Sequence, residues 1–156
     1  MFELKNMSSL AGKSAFLSVG KKTNVMTIGW GMIGKMWNMP VVIVPVRNTR
    51  YSYSLMLEND TFCVSVPHEG EYGKELTYCG TKSGRDVDKI EALHLPVAEC
   101  EKADTSYVLD CSGYECKKIC SIELGADTVG KYIAEHFYGA GDYHTLFIGE
   151  IIKQTD

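Results

Sequence analysis

The sequence predicts a mainly β fold with short helices, arranged as a mostly antiparallel barrel, on three observations. About seven short segments carry the β-branched or alternating character of strands. The helix-favouring segments between them are short, and they do not alternate with strands in a regular βαβ order, which argues against a doubly wound parallel sheet. The chain has 156 residues, a length that buries about two thirds of the unfolded surface and so supports one continuous core. Residues 1–156 are therefore expected to form a single domain.

The elements follow in order. Ser14 to Val19 mixes small and apolar residues, and after the turn signal Gly20-Lys21-Lys22-Thr23-Asn24 the run Val25 to Gly31 alternates bulky and small, which predicts a hairpin. Pro40 to Arg47 is almost purely β-branched, which predicts a strand buried on both faces, with Pro45 implying a bulge or an edge. Tyr51 to Glu58 is predicted helical, ending at Asn59-Asp60, and Thr61 to Val66 is a strand stopped by Pro67. Helices are predicted over Glu69 to Tyr78, Val87 to Leu93 and Thr128 to Tyr138, with a polar loop at residues 82–86. Val97 to Lys102, Ser106 to Cys111, Tyr114 to Leu124 and Thr145 to Lys153 complete the strands.

Composition narrows the function. Apolar residues make up 45% and charged residues 23%, an ordinary globular balance, and the net charge of −4 supplies no basic field for a nucleic acid. The longest apolar run, Val41 to Val44, is too short to span a bilayer, and Met1 to Asn6 lack the charged and apolar regions of an export signal. The expectation is a cytoplasmic protein with neither nucleic acid nor membrane as partner. Its six cysteines (63, 79, 100, 111, 116 and 120) are then expected to be reduced thiols. The spacing of Cys111, Cys116 and Cys120 matches no common metal or cluster pattern, and Cys116 and Cys120 are expected on one strand face; no metal site is assigned.

Three segments could carry chemistry. In Asn24 to Gly31, small residues alternate along a strand, which lets a flat ligand approach the backbone amides; the same pattern also serves a barrel strand whose glycines relieve crowding. In Arg47 to Tyr53 a strand gives way to a helix, so backbone amides, the Ser52 hydroxyl and a guanidinium could converge on one anion, or Ser52 could simply start the helix between solvated arginines. Cys79 to Lys89 gathers glycines, hydroxyls and cations in one loop, an anion nest or an ordinary polar turn, without the spacing of a P-loop.

Taken in order, these segments resemble the flavin reductase-like FMN-binding proteins, which include the flavoredoxins. The resemblance runs through Asn24 to Gly31, Trp37-Asn38-x-Pro40, Val46-Arg47 to Ser52-Tyr53, Phe62 to Pro67, Cys79-Gly80, Ser83-Gly84, Asp88-Lys89, Asp142 to Thr145 and Ile148 to Glu150. It implies a six-stranded Greek-key split β-barrel, paired as a homodimer, with FMN in a groove at the subunit interface. By position, it implies that Met26, Thr27, Ile28, Gly29, Trp30 and Gly31 line the isoalloxazine, that Val46, Arg47 and Asn48 meet the ring edge, and that Arg50, Ser52, Ser83 and Lys89 hold the phosphate. His144 falls near the ring or nicotinamide pocket and is the candidate catalytic residue. Ile90 departs from the pattern, since relatives often carry an aromatic there.

The function so implied is an FMN-dependent oxidoreductase that passes electrons from NAD(P)H or a reduced protein through FMN to a flavin or protein acceptor. The alternative is a non-enzymatic FMN-binding electron carrier without a nicotinamide site. In either, the flavin carries the chemistry and the protein supplies orientation and tuning.

Overall fold

The computed structural model describes residue 10 and residues 13–156; the amino-terminal residues read above for an export signal lie outside them. Among the described residues no helix is long and apolar enough to cross a membrane. The elements run β1 (Ala15–Val19), β2 (Asn24–Ile28), β3 (Met32–Met36), β4 (Met39–Arg47), α1 (Tyr51–Glu58), β5 (Thr61–Pro67), α2 (Gly73–Thr81), α3 (Lys89–Leu93), β6 (Val97–Glu99), β7 (Ser106–Val108), β8 (Cys111–Glu123), α4 (Lys131–Phe137) and β9 (His144–Thr155).

Seven strands form one sheet in the order β2-β1-β5-β8-β9-β4-β3, every neighbour antiparallel, while β6 and β7 make a separate hairpin. The connectivity forces this sheet to curl. Laid flat, its outermost strands would stand about 29 Å apart at the usual strand spacing. Those outermost strands, β2 and β3, are joined only by residues 29–31, a link that reaches at most about 14 Å. The two ends must therefore approach, yet they share no ladder, and the result is a split barrel.

Alternation along the strands sorts the side chains into two cores. Leu17, Val19, Val42, Val44, Val46, Phe62, Val64 and Phe147 fill the barrel. Phe16, Val25, Cys79, Leu95, Val108 and Cys111 form a second cluster, to which Tyr72, just before α2, Leu76 of α2, and Ile90 and Leu93 of α3 add cover. Between β6 and β7, the loop at Glu101 to Ala103 is tied to β8 by Glu115, 2% exposed, whose carboxylate accepts from three successive backbone N–H groups at 3.1, 2.5 and 2.9 Å.

Several expectations are corrected. The sheet has seven strands rather than six, because Met32–Met36 forms a strand that the sequence did not suggest. Strand β4 is not buried on both faces: Val42, Val44 and Val46 are, whereas Ile43, Pro45 and Arg47 on the opposite face are half-buried. Its register with β9 is unbroken from Val41↔Glu150 to Arg47↔His144, so Pro45 makes no bulge. Instead β3 pairs only as far as Ile43, which leaves Pro45 at an edge where its missing N–H costs no ladder bond. Helix α2 starts at Gly73, later than Glu69, because Gly70 and Tyr72 are left-handed (φ 80° and 58°) and interrupt the turn. Helix α4 begins at Lys131 rather than Thr128, whose hydroxyl is engaged in a turn with Gly125.

The cysteines divide by depth. Cys63, Cys79, Cys111 and Cys116 are buried, Cys100 and Cys120 half-buried, and all six are free thiols. A register shift after Lys118 breaks the alternation between Cys116 and Cys120, so the two do not share one strand face as the sequence suggested. Burial pushes the Cys79 thiol up to about 11 and that of Cys111 up to about 12, so both are protonated and unreactive at neutral pH.

Candidate functional site

The open seam of the barrel carries the candidate site. From β2 the chain runs through Met26, Thr27 and Ile28 into Gly29 and Trp30, and these residues wall a cavity of about 180 Å³ together with Pro45, Arg47, Arg50 and His144. Thr27 Oγ1 donates to the Leu76 carbonyl at 2.5 Å, which ties this stretch of β2 to α2. No atom lies within 4 Å of the point where a Cβ on Gly29 would stand, so its peptide faces open space that a flat ligand could enter. This is the backbone-walled end.

His144 borders that end. Its Nδ1 is hydrogen-bonded to the Tyr138 hydroxyl at 2.7 Å, and its ring lies 5.1 Å from that of Trp30, which in turn meets Phe137 edge-on at 5.5 Å. With Nδ1 engaged, only Nε2 is left for a ligand. Burial first, and then the Arg47 guanidinium beside it, push the imidazole down to about 4, so the ring is neutral at pH 7. The sign for stability follows: an unfolded histidine gains its proton near pH 6.5 while the folded one resists until about 4, so this contribution is intact above 6.5 and lost as pH falls toward 4. The expected result is a His144 ring resonance that does not titrate between pH 7.5 and about 5 by NMR. A midpoint near 6.5 would contradict the buried, Arg47-flanked geometry.

A second cavity, of about 260 Å³, adjoins the first and is lined by Asn24, Met26, Thr49, Arg50, Tyr51, Ser52, Asp142 and the loop at Lys82 to Arg85, with Lys89 beneath. It opens at the start of α1, where the N-cap Arg50 supplies no side-chain bond and the Tyr53 N–H bonds back to the Arg50 carbonyl at 3.0 Å, which leaves the N–H groups of Tyr51 and Ser52 facing outward. Ser52 is 2% exposed and accepts from Asn24 Nδ2 at 2.9 Å, which leaves its own hydroxyl proton available. The buried Lys89 ammonium donates to the Cys79 carbonyl at 2.9 Å, and burial pulls its pKa down, the situation of a cation that an incoming anion would relieve. Loop 82–86 sits close over Asn24: a Cβ on Gly84 would fall 2.0 Å from Asn24 Oδ1 and 2.9 Å from the Tyr51 ring, so this approach needs glycine. This is the anion end.

Met26 and Arg50 line both cavities and join them into one groove. The Arg50 side chain makes no hydrogen bond or ion pair among the described residues, whereas that of Arg47 is held by Asp142 and the Phe137 carbonyl, with its guanidinium 5.4 Å from the Tyr138 ring. The structure thus brings together Met26, Thr27, Ile28, Gly29, Trp30, Arg47, Arg50, Ser52, Ser83, Lys89 and His144. Three expected residues stand apart. Val46 is fully buried in the barrel core, its pleat directing it inward. Gly31 turns toward the Ile43 carbonyl and Leu10, each 3.2 Å from where a Cβ would stand. Asn48 accepts from Thr145 Oγ1 at 2.6 Å and donates its backbone N–H to Tyr143, a clasp at the start of β9 outside both cavities. Tyr138, which sequence reasoning gave no role, backs the groove through His144 and Arg47, and only the fold brings it there.

Barrel and groove together define a protein of the flavin reductase class. The sequence matches the flavin reductase like domain family over residues 7–154, and the chain belongs to that family, which places it among flavin-linked redox proteins. It is 30% identical over 136 residues to an uncharacterized protein of Archaeoglobus fulgidus, covering 86% of this chain and 66% of that longer relative. Among solved structures it is similar to flavoredoxin of Desulfovibrio vulgaris (Miyazaki F), with a TM-score of 0.73 and 25% identity over 99% of this chain and 76% of that one. The NADH:FAD oxidoreductase of Streptomyces globisporus shares the fold at a TM-score of 0.72 and 20% identity, over 92% of this chain and 74% of that one.

Proposed function

We propose that the chain is an FMN-dependent oxidoreductase that passes electrons from NAD(P)H or a reduced protein through FMN to a flavin or protein acceptor. The observation that carries this reading is the joining, through Met26 and Arg50, of a flat backbone-walled cavity to a cationic one at a helix start, the two environments a phosphorylated ring needs. The residues present fit the group: an exposed guanidinium without a protein partner, a buried ammonium, a free hydroxyl proton and a helix start without a side-chain cap suit a dianion, and the open space at Gly29 suits a ring. Bound FMN supplies the hydride and electron chemistry. Arg50, Ser52, Ser83 and Lys89 then hold the phosphate, the peptides of Met26 to Gly29 wall the ring, and neutral His144 and Trp30 border it.

A homodimer belongs to the same proposal. Trp30, Met32, Met36 and Trp37 are exposed along the seam and the edge strand β3, an apolar strip beside the groove that a two-fold partner would cover. Light scattering should read twice the mass of the chain, and a monomer at micromolar concentration would exclude it.

The protein purified from its native host is expected to be yellow, or to become so with FMN, and its visible flavin band should bleach on anaerobic addition of NADH or NADPH. A colourless protein that FMN cannot reconstitute would sink the flavin reading. The likeness to a flavoredoxin at the higher identity favours a second reading, an electron carrier without a nicotinamide site. Turnover of NAD(P)H with excess free flavin excludes the carrier; flavin reducible only by dithionite or a reduced protein supports it.

A further inference from the structure

Behind the ring cavity stands a side chain that lines neither cavity yet bears on one that does. Tyr138, 7% exposed, closes α4 as its C-cap; its N–H donates to the Ala134 carbonyl at 3.1 Å and its own carbonyl accepts from the Gly141 N–H at 2.9 Å. Its ring stacks on that of Tyr143 at 4.6 Å and 24°, and the Arg47 guanidinium lies 5.4 Å from its centroid. Main chain and ring contacts thus fix the phenol. Its hydroxyl meets His144 Nδ1 and no other group among the described residues. His144 is held in turn, since its carbonyl accepts from the Leu124 N–H at 3.0 Å and β9 keeps it in register with Arg47.

The 2.7 Å contact admits two proton arrangements. If Nδ1–H donated to the phenol oxygen, the Tyr138 proton would have no acceptor among the described residues, and a buried donor left so bears its full desolvation cost. If the phenol donates to Nδ1, both groups are satisfied and the other ring nitrogen carries the proton. Burial and Arg47 keep the ring neutral at pH 7, so only these two tautomers compete. The satisfied arrangement prevails. It leaves Nε2–H as the polar atom that His144 offers to the cavity it lines.

We propose that Tyr138 is a positioning residue that locks His144 in the Nε2–H tautomer, so that the ring cavity presents a fixed donor to a carbonyl oxygen or an unprotonated ring nitrogen of its ligand. A neutral imidazole gives up no proton near pH 7, so His144 orients the ligand rather than acting as an acid toward it. That the acceptor atom belongs to a flavin rests on the flavin reading above; the tautomer does not.

The test begins with heteronuclear NMR of the isotope-labelled, flavin-free full chain at pH 7. His144 is expected to show a protonated Nε2 and an acceptor Nδ1, and Tyr138→Phe is expected to give a mixture of both tautomers. A protonated Nδ1 in the unaltered chain, or a Tyr138→Phe spectrum that keeps the pure Nε2–H pattern, would overturn the proposal. Should Tyr138→Phe fail to fold, the tautomer of the unaltered chain decides. FMN titration is the second readout. Tyr138→Phe should weaken FMN by about 2- to 10-fold, the worth of one oriented hydrogen bond. In a His144→Ala background the same change should weaken it no further, because the hydroxyl acts only through the imidazole. Equal losses in the two backgrounds would make Tyr138 merely structural and overturn its role toward the ligand. A chain that shows the Nε2–H pattern but binds no FMN would overturn the flavin reading and leave the tautomer lock standing.

Discussion

Replacing Arg50 with alanine is expected to weaken FMN binding by about 10- to 100-fold with little effect on folding. A hydrogen-bonded contact between charged groups is worth roughly 1.5–3 kcal/mol, which converts to that range. Arg50 is suited to show it cleanly. Its side chain is exposed and bonds to no protein group among the described residues, so truncation strands no buried partner. It also lines both the ring end and the anion end, so one change reaches both. Arg50→Lys should fall between, because an ammonium keeps the charge but loses the planar fork that grips a phosphate. Titration by flavin fluorescence, with thermal melts of the flavin-free proteins, separates binding from stability. An unchanged dissociation constant would remove Arg50 from the site.

The second large effect is on stability. Gly149→Ala is expected to destabilise the fold by about 2–3 kcal/mol, an overpacking cost, and to lower the melting temperature by about 5–10 °C for a domain of this size. Gly149 lies in β9 opposite Val42 and Lys118, in the middle of the sheet. A Cβ there would stand 2.5 Å from Phe62 Cζ and 2.9 Å from Cys116 Cβ, and neither neighbour has any exposure into which it could retreat. The same substitution at Gly34 serves as control, since nothing lies within 4 Å of the added methyl group. Equal melting temperatures for the two variants would show that Phe62 can repack.

What the sequence made legible depended on whether the signal was local. Helix α1 stands where its pattern placed it, Tyr51 to Glu58, because helix-favouring residues end at Asn59, whose side chain bonds back to the Leu55 carbonyl. The β1–β2 hairpin was readable from its turn residues. Strand β3 was not: its hairpin with β4 turns on Trp37 and Asn38, both left-handed at φ 52° and 58°, and tryptophan is not a residue that announces such a turn. The strands at Val97 and Ser106 proved shorter than their patterns, because the intervening loop is held by the buried Glu115 rather than by a ladder. At the site, ordered motifs located the groove-lining residues of β2, α1 and loop 82–86. They did not foresee that the Val46 side chain turns into the core, because its orientation depends on a pleat phase that an almost purely β-branched run does not reveal. Tyr138 was invisible for a different reason: its partnership with His144 depends on how the chain folds back after α4, which no spacing encodes.

The split in the barrel has its own meaning for recognition. Strand β2 bonds to β1 on one side only, and β4 loses its β3 neighbour after Ile43, just before a proline with no proton to offer. Between them runs a slit in which main-chain donors and acceptors are left without the strand that would complete the cylinder, and the candidate ring pocket lies in it. A planar heterocycle inserted there would act as a substitute strand, offering edge atoms to the vacant ladder. Such a grip would belong to the backbone, so substitutions of side chains along the slit that keep the strands in place would leave it intact.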